Sequence, residues 1–193
     1  MKKTDLSNYD NMWYQPGNKV VCAVWYLVNV VFFVSHIMPL SGLKVWLLKL
    51  FGAKVGCGVV IKPGVNIKYP WKLEVGDHSW IGEKVWIDNL GKVKIGSDVC
   101  ISQGAMLLCG NHNYKKSSFD LIVKDIIMED GVWIGAHSVV CPGVICSSHS
   151  ILTVNSVATS NLQAFQIYQG NPAVKVRERK MEEITAANFN NIK

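Results

Sequence analysis

The sequence predicts an all-β solenoid of short parallel strands, with an N-terminal helical extension and a short C-terminal helix. Three observations point to it. An aliphatic residue recurs every six positions from Val55, at Val55, Ile61, Ile67, Val75, Ile81, Ile87, Ile95, Ile101 and Leu107. After a gap the register resumes at Met128, Ile134, Val140, Cys146, Leu152 and Ala158. Twelve of these fifteen positions are Val, Ile or Leu, which chance does not produce in a chain that is 49% hydrophobic. Glycine follows the aliphatic residue at Gly56, Gly76, Gly82, Gly96 and Gly135, as suits a chain that turns tightly between short strands. The residues ahead of Val55 lack this period and carry no charge from Val20 to Leu43.

Residues 1–54 form the extension. Val20–Leu40 has the length of a bilayer span, but Asn29, Ser35 and His36 interrupt it and Pro39 and Gly42 end it. A cleaved leader fits worse, because the apolar run begins only after Asp5 and Asp10 and no small-x-small site follows. Lys44–Phe51 sets Lys44 and Lys49 beside Trp46 and Leu50, the pattern of a short amphipathic helix at a membrane surface. The reading is peripheral membrane contact, with simple packing on the rest of the protein and a true span as the alternatives.

Residues 55–179 form the solenoid. Six residues are too few for a helix-turn unit and too regular for a sandwich, but they match one flat side of a triangular coil. Three sides make 18 residues, and two extra residues at Leu73–Glu74 and Val93–Lys94 account for the 20-residue spacing of the first coils. Stacked at ~4.8 Å, the coils turn their aliphatic residues into one inward column. A loop insertion, 113–127, breaks the repeat, and 180–193 form a C-terminal tail.

Lysine and arginine outnumber aspartate and glutamate 20 to 14, a formal charge of +6. The surplus permits anionic partners, but no nucleic-acid reading motif accompanies it, so no nucleic acid is expected. Six cysteines form no CxxC pair, which favours free thiols in a reducing cytoplasm over a disulfide scaffold.

The segments VGCGVV-IKPGVN, VGDHSW-IGEKVW and MEDGVW-IGAHSV-VCPGVI resemble the hexapeptide-repeat acyltransferases. KPGVNIKYPW, VCISQGA and YQGNPA resemble most the polysaccharide-biosynthesis O-acetyltransferases of the colanic acid type. The resemblance implies a left-handed parallel β-helix, assembly as a homotrimer with active sites between subunits, acetyl-CoA as co-substrate, and no metal. It implies a sugar or lipid-linked sugar acceptor, while the free thiols and the apolar segment Val20–Phe51 lead us to expect a cytoplasmic enzyme with peripheral contact at the inner face of the membrane.

His112 stands where the repeat breaks, and in the resembling enzymes the histidine of this motif is the general base. A hydroxyl is a poor nucleophile until its proton leaves, and neutral imidazole suits that removal. Related sequences carry an acid after this histidine, whereas Asn113 stands here and leaves the orientation of the ring open. A corner histidine bonded to a backbone carbonyl is the structural alternative. His78, His137 and His149 each lie three residues after an inward position and read as turn residues.

Asn89 matches an acceptor-site asparagine of similar enzymes, with a turn residue beside Gly91 as the alternative, and Asp88 is placed to orient base or acceptor. Trp133, Gly135 and Ala136 suit the pantetheine arm of the donor, and Thr159 matches a hydroxyl position near the adenine. Lys175 and Arg177, near Arg179 and Lys180, suit its phosphates, although a solvated charged face explains any one of them. Three competitors share the scaffold: an N-acetyl- or xenobiotic acetyltransferase, a zinc hydrolyase lacking its third histidine, and a non-catalytic membrane-surface scaffold.

Overall fold

The computed structural model describes residues 3–182, and five three-stranded coils stack in it as a left-handed parallel β-helix. The first coil comprises β1 (Lys54–Val55), β2 (Val60–Ile61) and β3 (Asn66–Ile67). The second has β4 (Leu73–Val75), β5 (Trp80–Ile81) and β6 (Trp86–Asp88); the third has β7 (Val93–Ile95), β8 (Cys100–Ile101) and β9 (Met106–Leu108). A hairpin of β10 (Gly110–His112) and β11 (Leu121–Val123) then leaves the stack. The fourth coil has β12 (Ile126–Met128), β13 (Trp133–Ile134) and β14 (Val139–Val140). The fifth has β15 (Ile145–Cys146), β16 (Ile151–Leu152) and β17 (Val157–Ala158), followed by β18 (Gln166–Gly170) and β19 (Ala173–Glu178). The short C-terminal helix expected of the 180–193 tail falls on a segment that, from residue 183 on, lies outside the described residues.

Three sheets run along the stack. Sheet I is β1-β4-β7-β12-β15, sheet II is β2-β5-β8-β13-β16-β18-β19, and sheet III is β3-β6-β9-β14-β17. Residues 20 apart in sequence become vertical neighbours, as in Val55↔Val75, Ile61↔Ile81 and Ile67↔Ile87. The fourth coil reseats on the third despite the insertion, with Met128 over Ile95. The aliphatic column is therefore continuous, and from Ile61 to Ala158 every one of its members is buried.

The corners explain the six-residue unit. The third residue after an inward position has left-handed backbone at His78, Lys84, Asp98, His137, His149 and Asn155, with φ of 55° to 59°, and glycine fills the equivalent place at Gly58, Gly64, Gly104, Gly131 and Gly143. The glycines directly after the inward residue are there for another reason than turning. A Cβ on Gly76 would meet Gly96 C at 2.5 Å, and one on Gly135 would meet Val154 N at 2.5 Å. Close stacking of backbone on backbone excludes a side chain there.

A solenoid end exposes unpaired backbone groups, and the N-terminal extension covers this one. Helix α1 (Lys19–Val28) continues as a π-helical segment, Asn29–Val34, and α2 (Ser41–Leu50) follows. Trp25 Nε1 donates to the Ile67 carbonyl at 2.8 Å, and Asn29 bonds both Asn66 Oδ1 and the Ile67 N–H. Ser41 Oγ accepts from the Ile61 N–H, and the buried Lys44 ammonium donates to the Lys62 carbonyl at 2.9 Å. Among the described residues no helix is long and apolar enough to cross a membrane.

Candidate active site

The prism has three long edges, and the residues with chemistry divide between them. The edge joining sheets III and I is swollen in the first three coils. There the two extra residues per coil form corners such as the 3-10 turn Pro70–Lys72, and the hairpin grows from the third. His112 pairs with Leu121 across that hairpin.

Its ring is held on two sides. Phe119 stacks on it with centroids 4.4 Å apart and planes 8° from parallel, while the Phe119 carbonyl lies 2.9 Å from Nδ1. A carbonyl oxygen only accepts, so Nδ1 carries the hydrogen and the neutral ring presents its lone pair at Nε2. The orientation that Asn113 left open is thus supplied by main chain. Phe119 adopts left-handed backbone, φ 54°, to make this approach.

Asn113 serves the loop instead: its N–H donates to the Asp120 carbonyl at 2.8 Å, and its Oδ1 accepts from the Lys115 N–H. Beside it, a cavity of about 480 Å³ is lined by Asp10, Trp13, Asn113, Lys116, Asp120 and neighbouring aliphatic residues. The N-terminal arm reaches this edge, where Asp5 N–H donates to the Ser117 carbonyl and the Tyr9 ring sits 5.8 Å from that of His112. Tyr9 and Phe119 escaped sequence reading, since neither lies in a periodic position.

Asp88 shares the edge one coil below. It pairs with Lys68 at 2.9 Å, and its Oδ2 is 3.7 Å from where Gly110 would carry a Cβ, beside the Leu90 side chain that packs on Gly110 more closely. Asn89 is placed otherwise than an acceptor ligand needs to be. It is 0% exposed, its Oδ1 accepts from the Tyr69 N–H at 2.9 Å and its Nδ2 donates to the Tyr69 carbonyl at 2.6 Å, so both ends of its amide are engaged in joining two coils. Thr159 is exposed on this edge two coils above His112.

The remaining residues lie elsewhere. Gly135 and Ala136 form the corner between sheets II and III, with Gly135 buried and Ala136 half-buried. Trp133 faces outward from sheet II, 45% exposed, its Nε1 bonded to Ser102 Oγ. Lys175 and Arg177 are exposed on β19, three strands further along that sheet. One side of the prism, roughly 15–20 Å for six extended residues, separates this set from His112. A single copy does not bring the two halves together. Among the described residues no cluster of three or more His, Cys, Asp or Glu forms a metal site.

A prism of stacked hexapeptide coils with one extruded, histidine-bearing corner is the architecture of hexapeptide-repeat transferases, and comparison with known proteins places the chain among them. No protein-family model matches the chain. It is 35% identical over 176 residues to WcaF of Escherichia coli, an acetyltransferase named for colanic acid biosynthesis, covering 91% of this chain and 97% of that one. Galactoside O-acetyltransferase of Escherichia coli is 26% identical over 135 residues, 68% of this chain and 66% of its own length. A hexapeptide-repeat acetyltransferase from Vibrio cholerae superposes with a TM-score of 0.76 at 21% identity, over 84% of this chain and 93% of that one. A galactoside acetyltransferase in complex with coenzyme A gives 0.74 at 20% identity, over 83% and 82%. The chain belongs to the hexapeptide-repeat acetyltransferase family.

Proposed function

We propose that the protein is an acetyl-CoA-dependent O-acetyltransferase acting on a hydroxyl of a sugar or lipid-linked sugar in surface polysaccharide biosynthesis. The name of its 35%-identical relative supports the pathway, and a neighbour solved with acetyl-CoA supports the donor. Six free cysteines fit a reducing cytoplasm, where that donor is available. The observation that carries the chemistry is the 2.9 Å approach of His112 Nδ1 to the Phe119 carbonyl.

With Nδ1 committed as donor, Nε2 takes the acceptor hydroxyl proton as that oxygen attacks the thioester carbonyl. The tetrahedral intermediate collapses by breaking the C–S bond, and the imidazolium returns its proton to the departing thiolate. The Phe119 carbonyl stabilises the imidazolium, the task an acid after the histidine performs in related sequences. Trp13, Asp10 and Asn113, which line the cavity next to the His112 hairpin, offer a sugar an aromatic face and polar groups. Trp133, Ala136, Thr159, Lys175 and Arg177 are the donor-side residues of this reading.

Because the donor corner and His112 sit on different edges, the reading requires a neighbour to complete each site, and we take the assembly to be a trimer. The outward rows support this. Sheet I shows Lys54, Glu74 and Lys94 in its first three coils, whereas sheet II shows Val60, Trp80, Cys100 and Trp133 and sheet III shows Trp86, Met106 and Val139. Sheet I turns apolar only above, at Ile127 and Ile145, and two faces with apolar rows suit head-to-tail contacts that close a ring.

The test is thiol release from acetyl-CoA with a panel of sugar acceptors. His112→Ala should lower kcat by about 10²–10⁴ with donor affinity nearly intact, while His78→Asn and His137→Asn keep most activity. Near wild-type turnover in His112→Ala refutes the base. A fully active monomer in sedimentation refutes the shared site.

A further inference from the structure

We propose that the outer face of α1 and its π-helical continuation docks on the surface of an anionic lipid bilayer. The helix is apolar all round. Trp25, Asn29 and Phe33 point into the protein, and the opposite stripe is Val20, Val24, Leu27 and Val31, all exposed, Val20 by 71% and Leu27 by 64%. Ile37, 88% exposed, and Leu40 extend the apolar surface, and α2 adds Trp46 and Leu50. A helix of this composition is ordinarily covered on both sides.

Length and charge identify the cover. Residues 19–34 make a helix of roughly 24 Å that ends at Ser35, too short to cross a bilayer but suited to lie in its interface. Between Asp10 and Glu74 there is no acidic residue and there are seven lysines, at 19, 44, 49, 54, 62, 68 and 72. Lys19, Lys49 and Lys62 are exposed and belong to none of the ion pairs among the described residues. Glu74 and Asp88 of the second coil pair with Lys54 and Lys68, which leaves Lys19, Lys49 and Lys62 to complement anionic headgroups, and the exposed Tyr26 and Trp46 are residue types that favour the headgroup zone. A second copy docking end to end would bring the same positive charge.

Docking also bears on the site. The inner side of α1 walls a groove of about 480 Å³ with Tyr26, Val30, Tyr69, Trp86 and Asp88, and Asp88 lies on the edge that carries His112. A bilayer under α1 therefore meets the open end of a groove leading toward the catalytic edge.

The test is co-sedimentation of the full chain with vesicles of phosphatidylcholine alone or mixed with phosphatidylglycerol. Binding should favour the anionic vesicles and weaken as salt is raised. Leu27→Glu with Val31→Glu, at solvent-exposed positions, should lower partitioning tenfold or more (~10-fold) with an unchanged melting temperature, and Lys19→Glu with Lys49→Glu should lower it chiefly on anionic vesicles. No sedimentation with either vesicle, or unchanged partitioning of the Leu27→Glu/Val31→Glu variant, overturns the proposal. So does a fall in the solution mass of that variant, since a second copy then covers the face.

Discussion

Asn89 separates a structural from a catalytic use of one amide. Asn89→Ala leaves the Tyr69 N–H without a partner at a position that is 0% exposed, where water does not replace the amide, while the Tyr69 carbonyl keeps the Lys72 N–H at 3.0 Å. A buried donor left unpaired costs ~1–3 kcal/mol. At about 2–4 °C per kcal/mol for a chain of this size, the melting temperature should fall by about 2–12 °C. Asn89→Asp sharpens the test. It keeps an acceptor for the Tyr69 N–H but turns a second oxygen on the Tyr69 carbonyl, which disfavours the charged form in the folded state. The folded carboxyl then titrates above the unfolded one, so the variant regains stability as pH falls and the protonated oxygen donates again. Thermal unfolding across pH, run beside thiol-release kinetics at varied acceptor, reads both effects. A melting temperature within a degree of wild type, with acceptor KM raised, would refute the structural assignment and restore Asn89 to the acceptor site.

Gly135 and Ala136 should part company: Gly135→Ala drives a Cβ into the Val154 backbone and lowers the melting temperature, whereas Ala136→Phe should raise KM for acetyl-CoA and spare that of the acceptor. Burial holds the Lys44 ammonium below the ordinary lysine value. In that window the unfolded chain binds a proton the folded chain does not, so wild-type stability rises with pH toward the ordinary lysine value; urea titrations should show Lys44→Met losing that rise, with stability near neutral pH changed by no more than about 1 kcal/mol. Burial pushes the Cys109 and Cys146 thiols up to about 12, so iodoacetamide near neutral pH should label neither until urea is added, and labelling of the folded chain would contradict the burial.

The architecture was legible because it repeats. Ile61, Ile81, Ile101, Ile134 and Leu152 occupy one environment five times over, so the same physical demand is written five times. The candidate base was legible for the opposite reason, as the edge of the stretch where that demand lapses. What fixes the base was not legible, because the Phe119 carbonyl is backbone, common to every residue type, and the approach of Tyr9 across 103 residues follows no period. Glycine was read correctly as a marker and wrongly as to cause: the left-handed turn lies two residues further on, and the glycine itself yields to the coil above. Counting sides carries one step more. His112 follows the third strand of its coil and Ala136 the second of the next, so the six-residue period by itself sets base and donor corner on different edges. If both act in one reaction, the partner that joins them is another copy of the chain, and a chimaeric trimer tests this directly. Mixing His112→Ala with Ala136→Phe, at acetyl-CoA far below the raised KM of the second so that each alone turns over little, should restore activity through sites that draw each half from a different subunit, and a mixture no more active than its parts would return the whole reaction to one chain.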